Sequence, residues 1–503
     1  MRGAAAAAVM LLIGCRTVGP TYTRPAVETP PAWKEPPPEG WKDATPSDDV
    51  GKGNWWEIFG DPQLNDLETQ AIAANQNLKA AVQRVLEARA NEKLTRAQLY
   101  PYVTADPSVS RARTSGTRPL PPGTPGAAFS GNTISLPADV SYEVDLWGQI
   151  QRSLESAHAL TQVSVADYEN ILLALKSDVA RFYVMLLYID RERAILRDNI
   201  ALQQQALDLA EVRHTGGVVS GLDVSEAETL LDATQADYAG LGIQRAQFEH
   251  ALAVLVGKPP AEFVLPEKPL DLKPTVIPPG LPSDLLERRP DVAAAERTMN
   301  SNNALIGVAR AAYFPNVTLT GSGGLLSSAL MQLFTVPSLM WTVAAAAIQP
   351  VYAGGRLSAG VERAGAVYEE SVANYRQQVL TAFQEVEDGL SGLRVLEEQA
   401  AAYDKAVQSA QRTVDISTSR YREGLANYVE VITAESSLLA NERAAAQILE
   451  LRLLSTIQLI QALGGGWQDS RIYSSSSELT GTPAAVPASP YPPAPGAPER
   501  RPQ

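Results

Sequence analysis

The 503-residue chain contains one cysteine, Cys15, and three scattered histidines. A single cysteine excludes disulfide bonds within the chain, and the histidines form no Cys/His cluster with the spacing of a metal site. The sequence also lacks a nucleophile elbow and a phosphate-binding loop. These absences argue against an enzyme, and we expect no catalytic, cofactor-binding or metal-binding residues.

Basic residues are in deficit, since 42 Lys and Arg face 56 Asp and Glu and the net charge is −14. This acidic balance argues against a nucleic-acid partner, whose binding surface would be rich in basic residues. After the N-terminus, no run reaches the ~18 consecutive apolar residues of a membrane-spanning helix. If the chain crosses a membrane, it must therefore do so with β-strands.

The N-terminus has the features of a short export signal, with Arg2, an apolar run from Ala4 to Ile13, and then Gly14-Cys15. The four residues that end at Cys15 resemble a bacterial lipobox, whose cysteine is acylated, with palmitate among its chains, and becomes the new N-terminus. Each buried methylene contributes about 0.8 kcal/mol, so several acyl chains hold a protein firmly to a bilayer. An ordinary secretory signal, or a start codon assigned too far downstream, is the alternative.

The most informative feature that is present is an internal repeat. Identical residues recur at a spacing of 214 or 207 positions: Pro101 and Pro315, Gly148 and Gly355, Arg213 and Arg420, Gly217 and Gly424. The constant spacing indicates two copies of one structural unit. Because no catalytic residues are duplicated with it, the repeat favours an architectural function over chemistry.

Glycine and proline are absent from Gln149 to Thr215, a stretch of 67 residues. As one helix this stretch would be about 100 Å long, whereas an average helix has about 11–12 residues. The second copy predicts a matching helix from Arg356 toward Glu423. Shorter helices are expected at about Leu222 to Val256 and Asn427 to Leu463, and heptad-like apolar spacing predicts coiled-coil packing.

An earlier helix is predicted to begin at Asp61-Pro62, where Asp61 provides the N-cap, and to continue to Tyr100, before Pro101. The whole chain then divides into six segments. These are a lipoprotein signal peptide (1–14), a lipidated N-terminal tether and equatorial segment (15–60), the first repeat (61–257), a Pro-rich inter-repeat segment (258–282), the second repeat (283–464), and a C-terminal tail expected to be disordered (465–503).

Apolar and polar residues alternate from Thr133 to Leu146, which predicts a strand with two different faces. A membrane barrel strand alternates in this way, but so does a half-buried strand of a soluble sheet. The second copy predicts a matching hairpin from Asn316 to Gly323, with a return strand around Leu339 to Tyr352 that alternates poorly. We expect a Gly/Pro-rich hairpin tip in the first copy and a Gly/Ser-rich tip in the second.

Four strands cannot close a barrel, and open sheet edges are not tolerated in lipid. Bacterial barrels have at least about eight strands, so several copies of the chain would have to share one barrel.

Five motifs of the chain resemble those of one known family. They are Cys15 with Val18-Gly19-Pro20-Thr21-Tyr22, Trp55-Trp56-Glu57-Ile58-Phe59-Gly60-Asp61-Pro62, Asp145-Leu146-Trp147-Gly148, Arg289-Pro290-Asp291-Val292, and Gln349-Pro350-Val351-Tyr352-Ala353-Gly354-Gly355-Arg356. From Cys15 to Gly464 the chain resembles the TolC-like outer-membrane factors, in particular the lipoprotein (NodT) branch that serves RND-type efflux pumps. The resemblance implies a mainly α fold with β: a trimeric α-helical barrel plus a shared 12-strand transmembrane β-barrel, with the internal two-fold repeat.

The function that the resemblance implies is that of a passive exit duct in the outer membrane, which conducts drugs and toxic small molecules from the periplasm to the exterior. The implied partners are two further copies of the chain, a periplasmic adaptor (membrane fusion) protein, an inner-membrane RND transporter and outer-membrane lipid, with no cofactor. A duct for type I protein secretion uses the same fold and is the alternative. A lipid-anchored coiled-coil tether or adhesin would explain the helices but not the strand hairpins.

In this family the two helical hairpins close the periplasmic end of the tunnel. By position, Asp223, Tyr421 and Glu430 match residues that the family uses at this constriction, and Arg422 is a candidate substitute for a basic residue replaced here by Ala426. Three Glu430 carboxylates around a threefold axis would form an acidic ring favouring cations, and their repulsion would raise their pKa. Alternatively, Asp223 and Glu430 simply stabilise helix starts through the positive end of the helix dipole.

The same hairpins dock on the adaptor protein in the family. The residues expected to make this contact are Gly217, Val218, Ser220, Gly424 and Leu425.

Overall fold

The computed structural model describes residues 17–26, 29–34, 54–117, 128–274 and 289–465. The signal peptide, Cys15 and the tail after Gly465 lie outside the described residues, as does part of the inter-repeat segment. The described residues fall into two compact units. The first takes its residues from Met1–Glu28, Val82–Val165 and Asp291–Val379, and the second from Thr29–Ala81, Ala166–Pro290 and Leu380–Gln503.

The helices agree with the internal repeat in both length and order. A 13-residue helix, α1 (Pro62–Ala74), comes first. Three pairs of helices follow, with 22, 67 and 35 residues in each member: α2 (Gln76–Ala97) with α5 (Pro290–Ala311), α3 (Gln149–Thr215) with α6 (Arg356–Arg422), and α4 (Gly221–Leu255) with α7 (Tyr428–Ala462). The second member begins 214 positions after the first for the 22-residue pair and 207 positions after it for the other two, as the sequence predicts.

The hairpin turns between the long and shorter helices depend on glycine. Gly217 and Gly424 have φ angles of 71° and 77°, in the left-handed region. A residue in this conformation ends a helix, and glycine adopts it without a steric penalty because it has no Cβ. The backbone N–H of Val218 donates to the carbonyl of Arg213, and that of Leu425 to the carbonyl of Arg420. The two turns therefore share one hydrogen-bond pattern, and the predicted hairpin reversals are confirmed.

The single helix predicted from Asp61 to Tyr100 is wrong, because the helix breaks at Asn75. Asn75 leaves the helical conformation with ψ 127°, and its Oδ1 accepts a hydrogen bond from the Leu78 N–H at 3.0 Å, so that it caps α2. Its Nδ2 donates to the Leu255 carbonyl, also at 3.0 Å. Side-chain bonds of this kind replace the backbone bonds that a continuous helix would supply.

Five antiparallel strands form one sheet: β1 (Tyr102–Ala105), β2 (Ser108–Thr114), β3 (Phe129–Val144), β4 (Asn316–Ser327) and β5 (Leu339–Ile348). The order is β1-β3-β4-β5, and β2 also pairs with β3. Both β1 and β2 lie on the same side of β3, so they act as one strand interrupted at residues 106–107. The sheet is therefore four strands wide, and the β3–β4 pairing joins the two copies of the repeat.

The prediction of a Gly/Ser-rich tip in the second hairpin is wrong. Gly321 and Gly323 lie in the strand, as predicted, but Gly324 also pairs with residues of β3 and β5, and β4 continues to Ser327. The turn between β4 and β5 instead contains two short 3₁₀ helices, Leu330–Gln332 and Val336–Ser338. Glycine was misleading here because a strand accepts it wherever a neighbouring backbone or flat surface requires no side chain.

In the first unit, the segment after Cys15 packs on the helices and strand ends beside it. The Val18 N–H donates to the Trp147 carbonyl at 3.0 Å. Tyr22 Oη donates to Glu296 Oε1 at 2.5 Å. The indole of Trp147 stacks on Phe314 with 4.7 Å between ring centres. This places the chain three residues after Cys15 at the point where β3 ends and α3 begins.

The second unit contains a large cluster of buried apolar side chains. It combines α1, the middle of α3, the end of α4 and the segment after α4, with Trp55, Trp56, Leu64, Tyr183 and Leu252 among its most buried members. The cluster fixes the start of the first repeat against its own long helix.

Among the described residues, no helix has both the length and the apolar character needed to cross a membrane.

Candidate functional site

The sheet has one apolar face and one polar face. Because residues paired in register project to the same side, even positions of β3 share a face with odd positions of β4 and β5. That face carries Val103, Ile134, Leu136, Val140, Val144, Val317, Leu319, Leu325, Leu339, Trp341 and Val343. The opposite face carries Thr104, Asp139, Ser141, Glu143, Thr318, Thr320, Ser322 and Thr342. The alternation predicted for β3 thus continues in β4, whereas β5 alternates poorly, since Met340, Ala344 and Ile348 share the face of Thr342.

The height of the apolar face matches a bilayer. From Ile134 to Val144 the strand advances ten residues, which is about 33 Å at ~3.3 Å per residue. A tilt of about 40° would reduce this to about 25 Å, the height of the lipid-facing band of an outer-membrane barrel. Within the described residues, neither β1 nor β5 has a strand beyond it. A sheet with these two edges needs further strands before it can be placed in lipid.

The first hairpin turn is held by short-range polar contacts. Ser220, the N-cap residue of α4, donates from Oγ to Asp223 Oδ1 at 3.2 Å. His214 Nδ1 lies 3.0 Å from the Val219 carbonyl oxygen. Asp223 is half-buried in the first turn of α4. Its position agrees with the interpretation that the carboxylate stabilises the start of the helix.

The second hairpin turn places opposite charges side by side. Asn427 caps α7 by accepting the Glu430 N–H at 3.2 Å. Glu430 Oε2 lies 3.6 Å from Arg420 Nη1, and both side chains are about half exposed. Arg422 is exposed and forms no ion pair with any residue that the structure describes. A ring of three Glu430 side chains would therefore include three Arg420 guanidinium groups, which would offset its negative charge.

The residue that joins the two hairpins is Arg213, which sequence reasoning did not select as functional. Its Nη1 donates to the Tyr421 carbonyl at 2.6 Å. Its guanidinium carbon lies 4.6 Å from the centre of the Tyr421 ring. A charged hydrogen bond and a cation–π contact thus connect the end of α3 with the end of α6.

The repeat does not predict this joint. Arg213 and Arg420 are equivalent residues, and so are Asp223 and Glu430, since both pairs are 207 positions apart. Arg420 pairs with Glu430 inside the second hairpin, whereas Arg213 contacts Tyr421 of the other hairpin. The two copies therefore use the same arginine for different contacts.

Two tyrosines pack beneath this joint. Tyr421 is 3% exposed and Tyr428 is 1% exposed, and their ring centres lie 5.3 Å apart. Burial raises the pKa of both hydroxyls, and neither hydroxyl has a hydrogen-bond partner in the described part of the chain. Burial also raises the pKa of Glu435, near Tyr428, to about 7. Within one chain Tyr421 is a packing residue, and its place at a constriction stays a prediction.

The tips of both hairpins are exposed. The five residues predicted to contact an adaptor, Gly217, Val218, Ser220, Gly424 and Leu425, are all exposed. Leu222 and Val429, which are again equivalent in the repeat, add one exposed apolar side chain to each tip. Each hairpin thus presents an apolar pair four positions apart, which a partner helix could cover. No group of His, Cys, Asp or Glu side chains in the described ranges could hold a metal ion.

Known proteins match this chain over most of its length. The family described as "Outer membrane efflux protein" matches residues 67–258 and 281–465. "Pyoverdine export outer membrane protein OpmQ" of Pseudomonas aeruginosa is 34% identical over 421 residues, which are 83% of this chain and 88% of that protein. "Probable efflux pump outer membrane protein TtgC" of Pseudomonas putida is 31% identical over 473 residues, 92% of this chain and 95% of that protein. The solved structure of the outer-membrane channel OprN is similar with a TM-score of 0.81 and 30% identity, covering 90% of this chain and all of that one.

Proposed function

The chain belongs to the outer membrane efflux protein family, and from this premise we propose that three copies of it form the exit duct of a tripartite RND-type pump. The protein is an outer-membrane efflux channel with a TolC-like fold. The family consists of channels, not of enzymes. In the proposed pump the duct is passive, and drugs or toxic small molecules enter it from the periplasm and leave to the exterior.

The observation that carries the proposal is the two-faced sheet with two open edges. Each chain contributes four strand positions, so three chains would supply twelve, which exceeds the minimum of about eight for a bacterial barrel. The apolar face would meet lipid, and the polar face, with Asp139, Ser141 and Thr320, would line the water-filled lumen. Pairing β1 and β2 of one copy with β5 of the next would leave no open edge.

A lipid anchor on Cys15 fits the position of the residues that follow it. Val18 is fixed to the Trp147 carbonyl at the helix end of the sheet. Three residues span at most about 10–11 Å, so Cys15 would lie near the same membrane surface. The acyl chains, palmitate among them, would then enter the leaflet on the periplasmic side. The segment boundaries 1–14, 15–60, 61–257, 258–282, 283–464 and 465–503 belong to this proposal.

The hairpin tips are proposed to contact a periplasmic adaptor protein, which connects the duct to the inner-membrane RND transporter. This rests on the exposed apolar pair at each tip, Val218 with Leu222 and Leu425 with Val429. The name of TtgC, a probable efflux pump outer membrane protein, supports a place in such a pump. A type I secretion duct is not favoured, because TtgC is named for an efflux pump and OpmQ for the export of pyoverdine.

We further propose that the contact between Arg213 and Tyr421 stabilises the closed duct. A hydrogen bond to a charged group contributes about 1.5–3 kcal/mol. If opening separates the two hairpins, Arg213→Gln should change the ratio of closed to open channels by about 10- to 100-fold, and conductance of the purified protein in planar bilayers should rise. Asp223, Glu430 and Arg422 are proposed to line the same constriction.

The control for this experiment is Arg412→Gln, which removes the same charge from an exposed position of α6. Arg412 donates to Ser409 of its own helix, so this variant should open the channel much less. Equal conductance of the wild type and Arg213→Gln would refute the closing role. Absence of any conductance from both the wild type and Arg213→Gln would refute the duct itself and favour a tether or adhesin.

A further inference from the structure

Two arginines continue the lipid-facing side of the sheet beyond its apolar band. In β2, Val109 pairs with Ile134, the last apolar residue of that face on β3. Arg111 and Arg113 follow at spacings of two, so both project to the same side as Val109. The strand therefore changes from apolar to doubly basic on one face, at the end of the sheet that is distant from α3.

The distances place Arg111 at headgroup level and Arg113 just above it. Arg111 lies two residues beyond Val109 and Arg113 four, which is about 7 Å and 13 Å along the strand at ~3.3 Å per residue. With a tilt of about 40°, these become heights of about 5 Å and 10 Å above the apolar band. The polar region of one leaflet is about 5–7 Å thick, and arginine side chains bend toward charged groups near a membrane surface. Both guanidinium groups can therefore reach the phosphates of neighbouring lipids.

The two side chains have no protein partner in the part of the chain that the structure describes. Both are exposed, and neither forms a hydrogen bond or an ion pair there. The nearest acidic residue of β3, Asp139, lies on the opposite face. An exposed pair of like charges on one strand face is unfavourable unless an anion lies between them. Arginine suits a phosphate in particular, because its planar guanidinium donates two parallel hydrogen bonds.

We propose that Arg111 and Arg113 form a clamp for the phosphate groups of lipids in the outer leaflet. This rests on the proposed function, because the sheet must span the membrane with its helices on the periplasmic side. The clamp would fix the vertical position of the barrel at its outer rim. Lipid A, a glycolipid with two phosphates, is the chemical class of ligand that matches two adjacent guanidinium groups.

The test measures retention of fluorescent lipid A by the purified full-length protein in detergent. The double variant Arg111→Gln/Arg113→Gln should lose affinity by at least about tenfold, because charged hydrogen bonds to phosphate are removed. Lipid A without its phosphates should bind weakly and equally to the wild type and the variant. The matched control is Arg84→Gln/Arg363→Gln, which removes two exposed arginines of the same unit from helices and should retain lipid A as the wild type does.

Three results would overturn the clamp. The first is unchanged retention of lipid A by the double variant, and the second is binding of dephosphorylated lipid A to the wild type as tight as that of lipid A itself. The third is full displacement of lipid A by inorganic phosphate, which would indicate a site for free phosphate and not for lipid. Conductance of the double variant in planar bilayers separates this proposal from the proposed function. A conducting double variant with unchanged retention refutes only the clamp. Absence of conductance from both the wild type and Arg213→Gln refutes the duct on which the clamp depends.

Discussion

Replacing Glu68 by Gln should stabilise the protein at neutral pH. Glu68 lies in α1 and is 0% exposed, and neither of its carboxylate oxygens has a hydrogen-bond partner among the described residues. Burial raises the pKa of Glu68 from 4.5 to about 9, and the positive charge of Lys176 opposes this increase only in part. The carboxyl group is therefore protonated in the folded protein at pH 7 and ionised in the unfolded chain.

The size of the effect follows from the two pKa values. Between pH 4.5 and about 9 the folded state holds a proton that the unfolded state has released, so the free energy of unfolding falls as the pH rises. At about 1.4 kcal/mol per pH unit, the loss is about 3 kcal/mol at pH 7 and about 6 kcal/mol at pH 9. Gln has nearly the same shape and no charge at any pH. Glu68→Gln should therefore recover most of this loss at high pH and little of it below pH 4.5.

The measurement is a series of denaturant titrations of the detergent-solubilised protein across this pH range. Trp55 and Trp56 belong to the buried cluster that contains α1, so their fluorescence reports its unfolding. Trp56 is also close to the charge that acts on Glu68, since the Lys176 ammonium lies 5.0 Å from the centre of the Trp56 ring. The difference in unfolding free energy between variant and wild type should grow with pH. Glu398→Gln offers a control, since the Glu398 side chain is 71% exposed and its ion pair with Arg394 lies at the surface.

The opposite result has a clear physical meaning. If Glu68 were ionised and paired with Lys176, Glu68→Gln would leave a buried ammonium without its counter-charge. Loss of one partner from a buried ion pair costs about 3–5 kcal/mol. A destabilised variant, or a difference that does not change with pH, would therefore refute the assignment of a neutral Glu68.

Two further predictions concern the backbone around α1 and the turns. Asn75→Ala should lower the unfolding free energy by about 1–3 kcal/mol, because it removes the cap of α2 and a hydrogen bond to α4. Asn75→Asp keeps the oxygen that caps α2, so it should lower the unfolding free energy less in the same denaturation assay. Gly257→Ala should be more destabilising than Gly217→Ala. Both glycines have a φ of 71°, but a Cβ at Gly257 would lie 2.8 Å from the carbonyl oxygen that ends α1, whereas at Gly217 it would meet no described atom within 4 Å. Equal thermal midpoints for the two glycine variants would contradict this reading of the close approach.

The long helices could be predicted from the sequence almost to the residue. α3 occupies the predicted range from Gln149 to Thr215, because a stretch without glycine or proline is bounded on both sides by glycine. The repeat then transferred these bounds to α6 and α7. Periodicity also identified β3, because one face of that strand is apolar from Ile134 to Val144.

The errors occurred where the decisive contact is distant in sequence. The break at Asn75 depends on a hydrogen bond to Leu255, 180 positions away. Arg213 contacts Tyr421 across 208 positions, and no spacing rule connects the two. The same contact covers the ring of Tyr421, which packs in a buried cluster and whose place at a constriction stays a prediction. Local patterns predict elements, but they do not show which side chain crosses from one hairpin to the other.

The equal lengths of α3 and α6 restrict how the gene can change. A helix rises about 1.5 Å per residue, so a seven-residue deletion from one of them would withdraw its tip by about 10 Å. Arg213 would then lose the Tyr421 carbonyl, which lies at the matching end of the other helix. Insertions and deletions in these helices should therefore be retained in evolution only as pairs of equal length, one in the part of the coding sequence for α3 and one in the part for α6.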